Sequence, residues 1–417
     1  MTKRKIMERI NMKSREVVFV EGMRTAFGKI GGSLKDYTAE ELAGIGLRGL
    51  VEKTKICEQA RVDNVYMGMA FHPARAINPA RWALLYAGMP HSTSASVVEL
   101  QCGSAIDSIN HGAWKILAGQ AEIVIAGGME SFSQLPRKYS TSVDPYRLNA
   151  IKLLDFELQP PSTEGPTYLP FEMGLTAENL ADMYNISRQE QDEFAFRSQS
   201  LAKKAIEAGY FSDEIIPVPV FQGKKKPPLE FKVDEFPRLT SMDGMAALPA
   251  AFKKGGTVTA GNSSGLNDGS AFVLMMTREK AVELGYEPIA KWICSAEWGV
   301  DPAIMGVAPA YALPVAMKRA GLKLSDFDVV ECNEAFAAQN LAVIRELEKQ
   351  TGEKVNMDNW NPNGGAIAFG HANGASGARI AMLCMKELIR RGGRFGTFGA
   401  CCGGGQGVVT IIENLKR

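Results

Sequence analysis

No stretch of the 417-residue chain holds the roughly 18 consecutive apolar side chains that a bilayer span needs. The nearest approach, Ile123 to Ala126, runs into Gly127-Gly128 and reads as a buried strand. An excess of one charge is missing too: 47 Lys and Arg face 46 Asp and Glu, a net charge of +1. No broad field is left to attract nucleic acid or an anionic membrane, although a local basic pocket suffices for a small anion. The seven cysteines, at 57, 102, 294, 332, 384, 401 and 402, have neither the spacing of a disulfide framework nor that of a zinc site. They fit a reducing cytoplasm and a protein without a metal or redox cofactor. With 46% hydrophobic and 22% charged residues, general disorder is excluded, and the length suits two domains or one large repeated unit. Residues 1–15 carry Lys3, Arg4, Lys5, Arg9, Lys13 and Arg15, but Glu8 and little serine argue for a solvated tail over a transit peptide.

What is present is an alternation of strand and helix signals. Val17 to Val20 is a β-branched and aromatic run entering the loop Glu21-Gly22-Met23-Arg24-Thr25. Thr38 and Glu41 have capping-box spacing, and Leu42, Ile45 and Leu50 follow at helical intervals. A strand over Asn64 to Ala70, a helix over Trp82 to Gly88, and a strand from Val97 ending at Cys102 come next, then a helix to Leu117. From Gln134 to Phe252 prolines recur, including Pro160-Pro161 and Pro227-Pro228, and strand signals fade. Within this inserted segment Ser187 and Glu190 cap a helix that stops at Gly209, and Lys224-Lys225-Lys226 is either a solvated loop or a phosphate attractor. The core pattern resumes at Gly256 with a strand over Ala271 to Met276, a helix over Val315 to Ala320, a strand over Asp328 to Glu331, and helices ending near Lys349 and Arg391. Such alternation defines an α/β fold.

In each half a strand leads to a reactive residue at a helix start, Cys102 first and His371 second, and a glycine pair follows, Gly127-Gly128 and Gly403-Gly404. We read a degenerate duplication. The expected units are a basic tail over 1–15, an N-terminal half over 16–133 plus 253–287, an inserted loop domain over 134–252, and a C-terminal half over 288–417.

Chemistry concentrates between Asn361 and Gly407, where His371 and Cys401 stand in glycine-dense runs that let backbone N–H groups approach a ligand. Cys102 sits where a helix N-terminus favours thiolate over thiol; a buried structural cysteine is the other reading. Two cysteines, a histidine and an asparagine in such settings fit covalent acyl transfer. A thiolate attacks a carbonyl, a base activates it, a second group moves a carbon-bound proton, and N–H donors hold the oxyanion.

The motifs Val20-Glu-Gly-Met-Arg-Thr-Ala-Phe-Gly-Lys29, Gly127-Gly-Met-Glu-Ser131, Gly256-Thr-Val-Thr-Ala-Gly-Asn262, Asn333-Glu-Ala-Phe336, Gly364-Gly-Ala-Ile-Ala-Phe-Gly-His371 and Cys401-Cys-Gly-Gly-Gly-Gln-Gly407 span nearly the whole chain. In them the chain resembles the thiolases, which interconvert two acyl-CoA molecules with a 3-oxoacyl-CoA plus coenzyme A. The resemblance implies a five-layered α/β/α/β/α core of two duplicated halves with an inserted loop domain over the pantetheine arm. It implies Cys102 as the acyl-carrying nucleophile, His371 as its base and Cys401 as the second acid/base. Asn333, through a water, would form one oxyanion site with His371, and the N–H groups of Cys102 and Gly403 the other. Ser264 matches a pantetheine contact, Arg238 lies where a basic residue flanks adenine, and Met173 and Met305 match methionines lining the acyl pocket, or else pack the core. Coenzyme A would be a substrate, and the family implies a homodimer or dimer of dimers; some of its relatives need a small zinc-ribbon or OB-type partner.

Departures cluster near the expected acyl end. Ala105 stands for a glycine after Cys102, Ala372-Asn373 for Pro and an aliphatic residue after His371, Glu172 for a histidine before Met173-Gly174, and Ala308 for a glycine. Glu172 and Asn373 suit a polar, branched, aromatic or carboxylated 3-oxoacyl group, of the benzoylsuccinyl-CoA kind; local repacking is the alternative. Cys401 argues against a ketosynthase or 3-hydroxy-3-methylglutaryl-CoA synthase, and Cys102 against a non-catalytic acyl-CoA-binding subunit.

Overall fold

The computed structural model describes residues 15–73, 76–135, 138–140, 152–154 and 172–417. The basic tail, Arg15 excepted, and the Pro160-Pro161 stretch lie outside them. The principal strands are β1 (Val17–Thr25), β2 (Asn64–Gly68), β3 (Ser94–Val98), β4 (Ile123–Ser131), β5 (Asn267–Thr277), β6 (Ala290–Gly299), β7 (Phe327–Cys332), β8 (Phe395–Cys402) and β9 (Gln406–Asn414). The helices that matter are α1 (Ala39–Thr54), α2 (Pro79–Tyr86), α3 (Ser104–Leu117), α4 (Met173–Met183), α5 (Arg188–Glu207), α6 (Pro309–Ala320), α7 (Ala337–Thr351) and α8 (Asn373–Arg391).

The strands run in the order β7-β8-β9-β6-β1-β5-β4-β2-β3. Outward from β1 the pairings are antiparallel, antiparallel, parallel and parallel. Outward from β6 they are antiparallel, antiparallel and parallel, and Trp360 adds a parallel bridge to Val330 in the place corresponding to β3. The halves are therefore duplicates, joined where Val18 and Phe19 pair with Lys291 and Ala290. The glycine pairs expected to match do not: Gly127-Gly128 lie inside β4, whereas Gly403-Gly404 lie in the turn beyond its counterpart β8.

Five layers follow from where apolar faces meet. Helices α1 and α2 cover one side of the N-terminal half-sheet, through Leu47, Leu50, Ala83 and Leu84 against Val65, Ile125 and Leu274. Helices α6 and α7 cover the far side of the C-terminal half, through Leu313, Val343 and Leu347 against Val330, Val409 and Ile411. Between them, α3 and α8 bury Ile106, Ile109, Ala381, Met382 and Met385 against strands of both halves. Each large aliphatic side chain buried there contributes about 1.5–3 kcal/mol.

Local chemistry explains the element starts. Thr38 and Ser187 make the expected capping boxes for α1 and α5. Two helices begin earlier than their periodicity indicates, because their first turns contain proline. Pro79 follows the cap Asn78, whose Oδ1 accepts from Arg81 N–H at 3.1 Å, and Pro309 stands at the first helical position of α6, where a missing N–H has no intrahelical role. Helix α8 opens with Asn-Gly-Ala-Ser-Gly-Ala because backbone touches backbone: a Cβ on Gly128 would lie 1.8 Å from Gly374 O, and one on Gly374 2.3 Å from Met129 O.

Candidate active site

Cys102 and His371 occupy matching places: each stands two residues before the start of a middle-layer helix, Ser104 of α3 and Asn373 of α8. The partial positive ends of both helices meet here, with Asn373 Nδ2 3.5 Å from Cys102 Sγ. Gln101, at φ 47°, is a strained left-handed elbow; its N–H donates to Glu99 Oε1 at 2.9 Å, and Ser104 Oγ ties the turn by accepting from Leu100 N–H at 2.9 Å and donating to Gln101 O at 2.6 Å.

The backbone N–H groups of Gly403 and of Cys102 itself favour the charged form of the Cys102 sulfur. Burial nonetheless pushes the thiol up to about 12, and the nearby Glu130 carboxyl adds to the rise. Removing the sulfur from water thus opposes the helix end, which favours thiolate over thiol.

His371 is held by its backbone N–H, which donates to Gly265 O at 3.0 Å and Asn267 Oδ1 at 3.1 Å. Its Nδ1 lies 2.7 Å from Ser376 Oγ, and the Ser376 hydroxyl donates to Ala372 O at 3.0 Å. With that hydroxyl proton committed, the hydrogen bonds assign the ring proton to Nδ1, leaving the Nε2 lone pair towards Asn333 Nδ2 at 3.5 Å. Burial, with the Arg379 charge second, drives His371 down to about 3, so the ring is neutral at physiological pH.

Asn333 follows β7, its N–H donating to Gly399 O at 2.9 Å and its carbonyl accepting from Asn340 Nδ2 at 3.1 Å, while its buried Oδ1 has no partner among the described residues. The adjacent Glu334 fixes the segment leading to His371, accepting from Ser198 Oγ at 2.6 Å, Asn361 Nδ2 at 2.9 Å and Ile367 N–H at 3.3 Å. Cys401 is fully buried in β8, and burial together with Cys102, Cys402 and Cys332 pushes its thiol far up. Cys102, Asn333, His371, Cys401, Gly403 and Asn373 are thus brought together.

The remaining candidates lie elsewhere or beside this group. Ser264, whose N–H donates to Ala335 O, is on the loop whose Leu266 bridges to His371. Arg238 is exposed, its guanidinium 4.1 Å from the Phe236 ring centre and donating to Ala260 O at 2.6 Å. Met305 is buried in the same apolar core of the C-terminal half as Cys401, with Met173 packed against that core; Glu172 is exposed ahead of α4. Three contributors escaped the sequence reading: Ser376, Asn267 and Glu130, whose Oε2 accepts from Gly374 N–H and Ala70 N–H at 3.0 Å each. Ser376 left a signal as a hydroxyl in the first turn of α8, and Glu130 as a member of the Gly127-Gly-Met-Glu-Ser131 motif, without a role attached.

A neutral thiol and a neutral imidazole facing buried N–H donors can form a nucleophile once an acyl group arrives to accept its electrons, which is the chemistry of an acyltransferase. Family models described as Thiolase, N-terminal domain and Thiolase, C-terminal domain match residues 17–279 and 286–414, and the chain belongs to the thiolase family. It is 43% identical over 404 residues to an acetyl-CoA acetyltransferase of Syntrophomonas wolfei, spanning 96% of this chain and all of that one. It is 44% identical over 399 residues to one from Chromobacterium violaceum, spanning 95% and 99%. Its fold is similar to the crystal structure of the Bacillus anthracis acetyl-CoA acetyltransferase, with TM-score 0.88 and 39% identity over 96% of this chain and 99% of that one. Human mitochondrial 3-ketoacyl-CoA thiolase in complex with CoA gives TM-score 0.86 and 40% identity over 96% and 98%.

Proposed function

We propose that the protein cleaves a short 3-oxoacyl-CoA with coenzyme A, and runs the reverse Claisen condensation, through an acyl group on Cys102. The observation that carries this reading is the placement of Cys102 and His371 at matching helix starts that meet where Asn373 Nδ2 lies 3.5 Å from the Cys102 sulfur, with Cys401 in electrostatic reach. His371 Nε2 takes the Cys102 proton as sulfur bonds to the 3-oxo carbon. The C2–C3 bond breaks, and Cys401 gives its proton to C2, releasing an acetyl-CoA. Coenzyme A then attacks the acyl-Cys102 carbonyl, its thiol proton passing to Cys401, while His371 returns a proton to the leaving Cys102 sulfur. Asn333 and His371 hold one developing oxyanion and the N–H groups of Cys102 and Gly403 the other.

The names of the relatives, acetyl-CoA acetyltransferase above all, favour a short acyl unit over an aromatic or carboxylated one. The same reading takes 134–252 as the insertion over the coenzyme A arm, with Ser264 and Arg238 along it, and the assembly as a homodimer or dimer of dimers. Exposed Ile77, Trp82, Leu85 and Tyr86 beside the outer strand β3 support that assembly.

The test is coenzyme A-dependent loss of the acetoacetyl-CoA enolate absorbance. Wild type turns over, and Cys102→Ser, folded by circular dichroism, falls by about 10³-fold or more. Equal rates would remove the mechanism.

A further inference from the structure

The reaction steps leave one buried polar group at the sulfur unused. We infer that Asn373 is a specificity-determining residue: its amide N–H steadies the Cys102 sulfur, and its amide oxygen receives a hydrogen-bond donor, a hydroxyl or N–H, next to the carbonyl of the acyl group. This deepens the thiolase reading and rests on it.

Asn373 is 9% exposed and opens α8. Its Nδ2 is 3.5 Å from Cys102 Sγ, and its Oδ1 is buried without a partner among the described residues. The two amide atoms are about 2.2 Å apart, so Oδ1 lies within about 6 Å of the sulfur that carries the acyl group. Turning the amide over exchanges the atoms and still leaves one unpartnered. The neighbouring donors of the helix end are committed: Gly374 N–H to Glu130 Oε2 at 3.0 Å, and the N–H groups of Ala375 and Ser376 to Ala372 O at 2.8 Å each. A wholly apolar acyl group would bury that amide atom unsatisfied, a disadvantage of roughly tenfold to a hundredfold against a group that bonds it.

The half-reaction isolates the effect. Sulfur of Cys102 bonds to the acyl carbon as its proton goes to His371, the acyl–sulfur bond of the donor breaks, and Cys401 gives a proton to the departing coenzyme A sulfur. Glycolyl-CoA and propionyl-CoA are nearly equal in size and differ by a hydroxyl for a methyl beside the carbonyl. Their rates of coenzyme A release are measured with wild type, Asn373→Leu and, should that variant fold poorly, Asn373→Ser. The pH profile of Cys102 alkylation by iodoacetamide is taken for the same proteins.

We expect the glycolyl-to-propionyl rate ratio to fall at least about tenfold in the variants, and the alkylation profile to move up by about one pH unit. A ratio unchanged by both substitutions overturns the specificity role, and an unmoved profile overturns the contact with sulfur. Failure of the thiolase reading looks different: wild type itself would then form no acyl-Cys102 from either donor, and the inference would fall with it.

Discussion

The reacting side chains are both kept neutral, by opposite shifts with one cause. Burial raises the Cys102 thiol to about 12 and lowers His371 to about 3, so neither charge is present until substrate supplies a place for it. The His371 shift makes a prediction whose sign is fixed. Its native form refuses a proton that the unfolded chain accepts below about pH 6.5, so its contribution is present above that pH and is lost as pH falls towards 3. At pH 5 the loss is about 2 kcal/mol. Urea unfolding from pH 7 to pH 5 should show that much more destabilisation in wild type than in His371→Gln; parallel pH dependence in the two would show that His371 is not held neutral. At this scale the sequence was informative about identity and silent about environment. Cys102, Asn333, His371 and Cys401 were singled out by their motifs, but the helix N-terminus just after Cys102 pointed towards a thiolate, because burial depth is not written in local sequence. Asn267 and Glu130 reach the site from other elements across 104 and 244 positions; Glu130 stands in a quoted motif, but nothing local says what it would touch, and no local pattern marks Asn267.

Among elements, α8 decides most. It belongs to the C-terminal half yet packs on strands of both, and its first turn places Asn373 against Cys102. That placement needs Gly128, where a Cβ would fall 1.8 Å from Gly374 O. Gly128→Ala must push the start of α8 off β4, and we expect a loss of about 3 kcal/mol or more, or failure to fold, with disproportionate loss of activity in whatever folds. Thermal melting and turnover of the purified variant check this, and a variant with wild-type melting and turnover would show that α8 is not pinned there. Periodicity revealed α8 and its end near Arg391, and the capping boxes revealed α1 and α5. It missed the early starts of α2 and α6, since a proline in the first turn reads as a breaker. The glycine runs were visible, but whether each serves a turn or a close approach depends on neighbours distant in sequence.

For the whole molecule, duplication is the organising fact. Each half supplies one member of the Cys102–His371 pair at equivalent positions, so the site exists only where the halves meet. The alternation of elements and the echo of Cys102 in His371 were legible. The junction through Val18, Phe19, Ala290 and Lys291 was not, because pairing between edges leaves no periodic trace. A site divided in this way implies that acylation at Cys102 depends on His371 across the boundary. The most direct measurement is to mix wild type and His371→Ala with acetoacetyl-CoA, quench within the first turnover, and locate the acyl group by peptide mass spectrometry. Wild type should carry one acetyl group on the Cys102 peptide, and His371→Ala should acquire it at least about a hundredfold more slowly. An acetyl group on Cys401, or equal acylation of both proteins at Cys102, would contradict the division of labour described above.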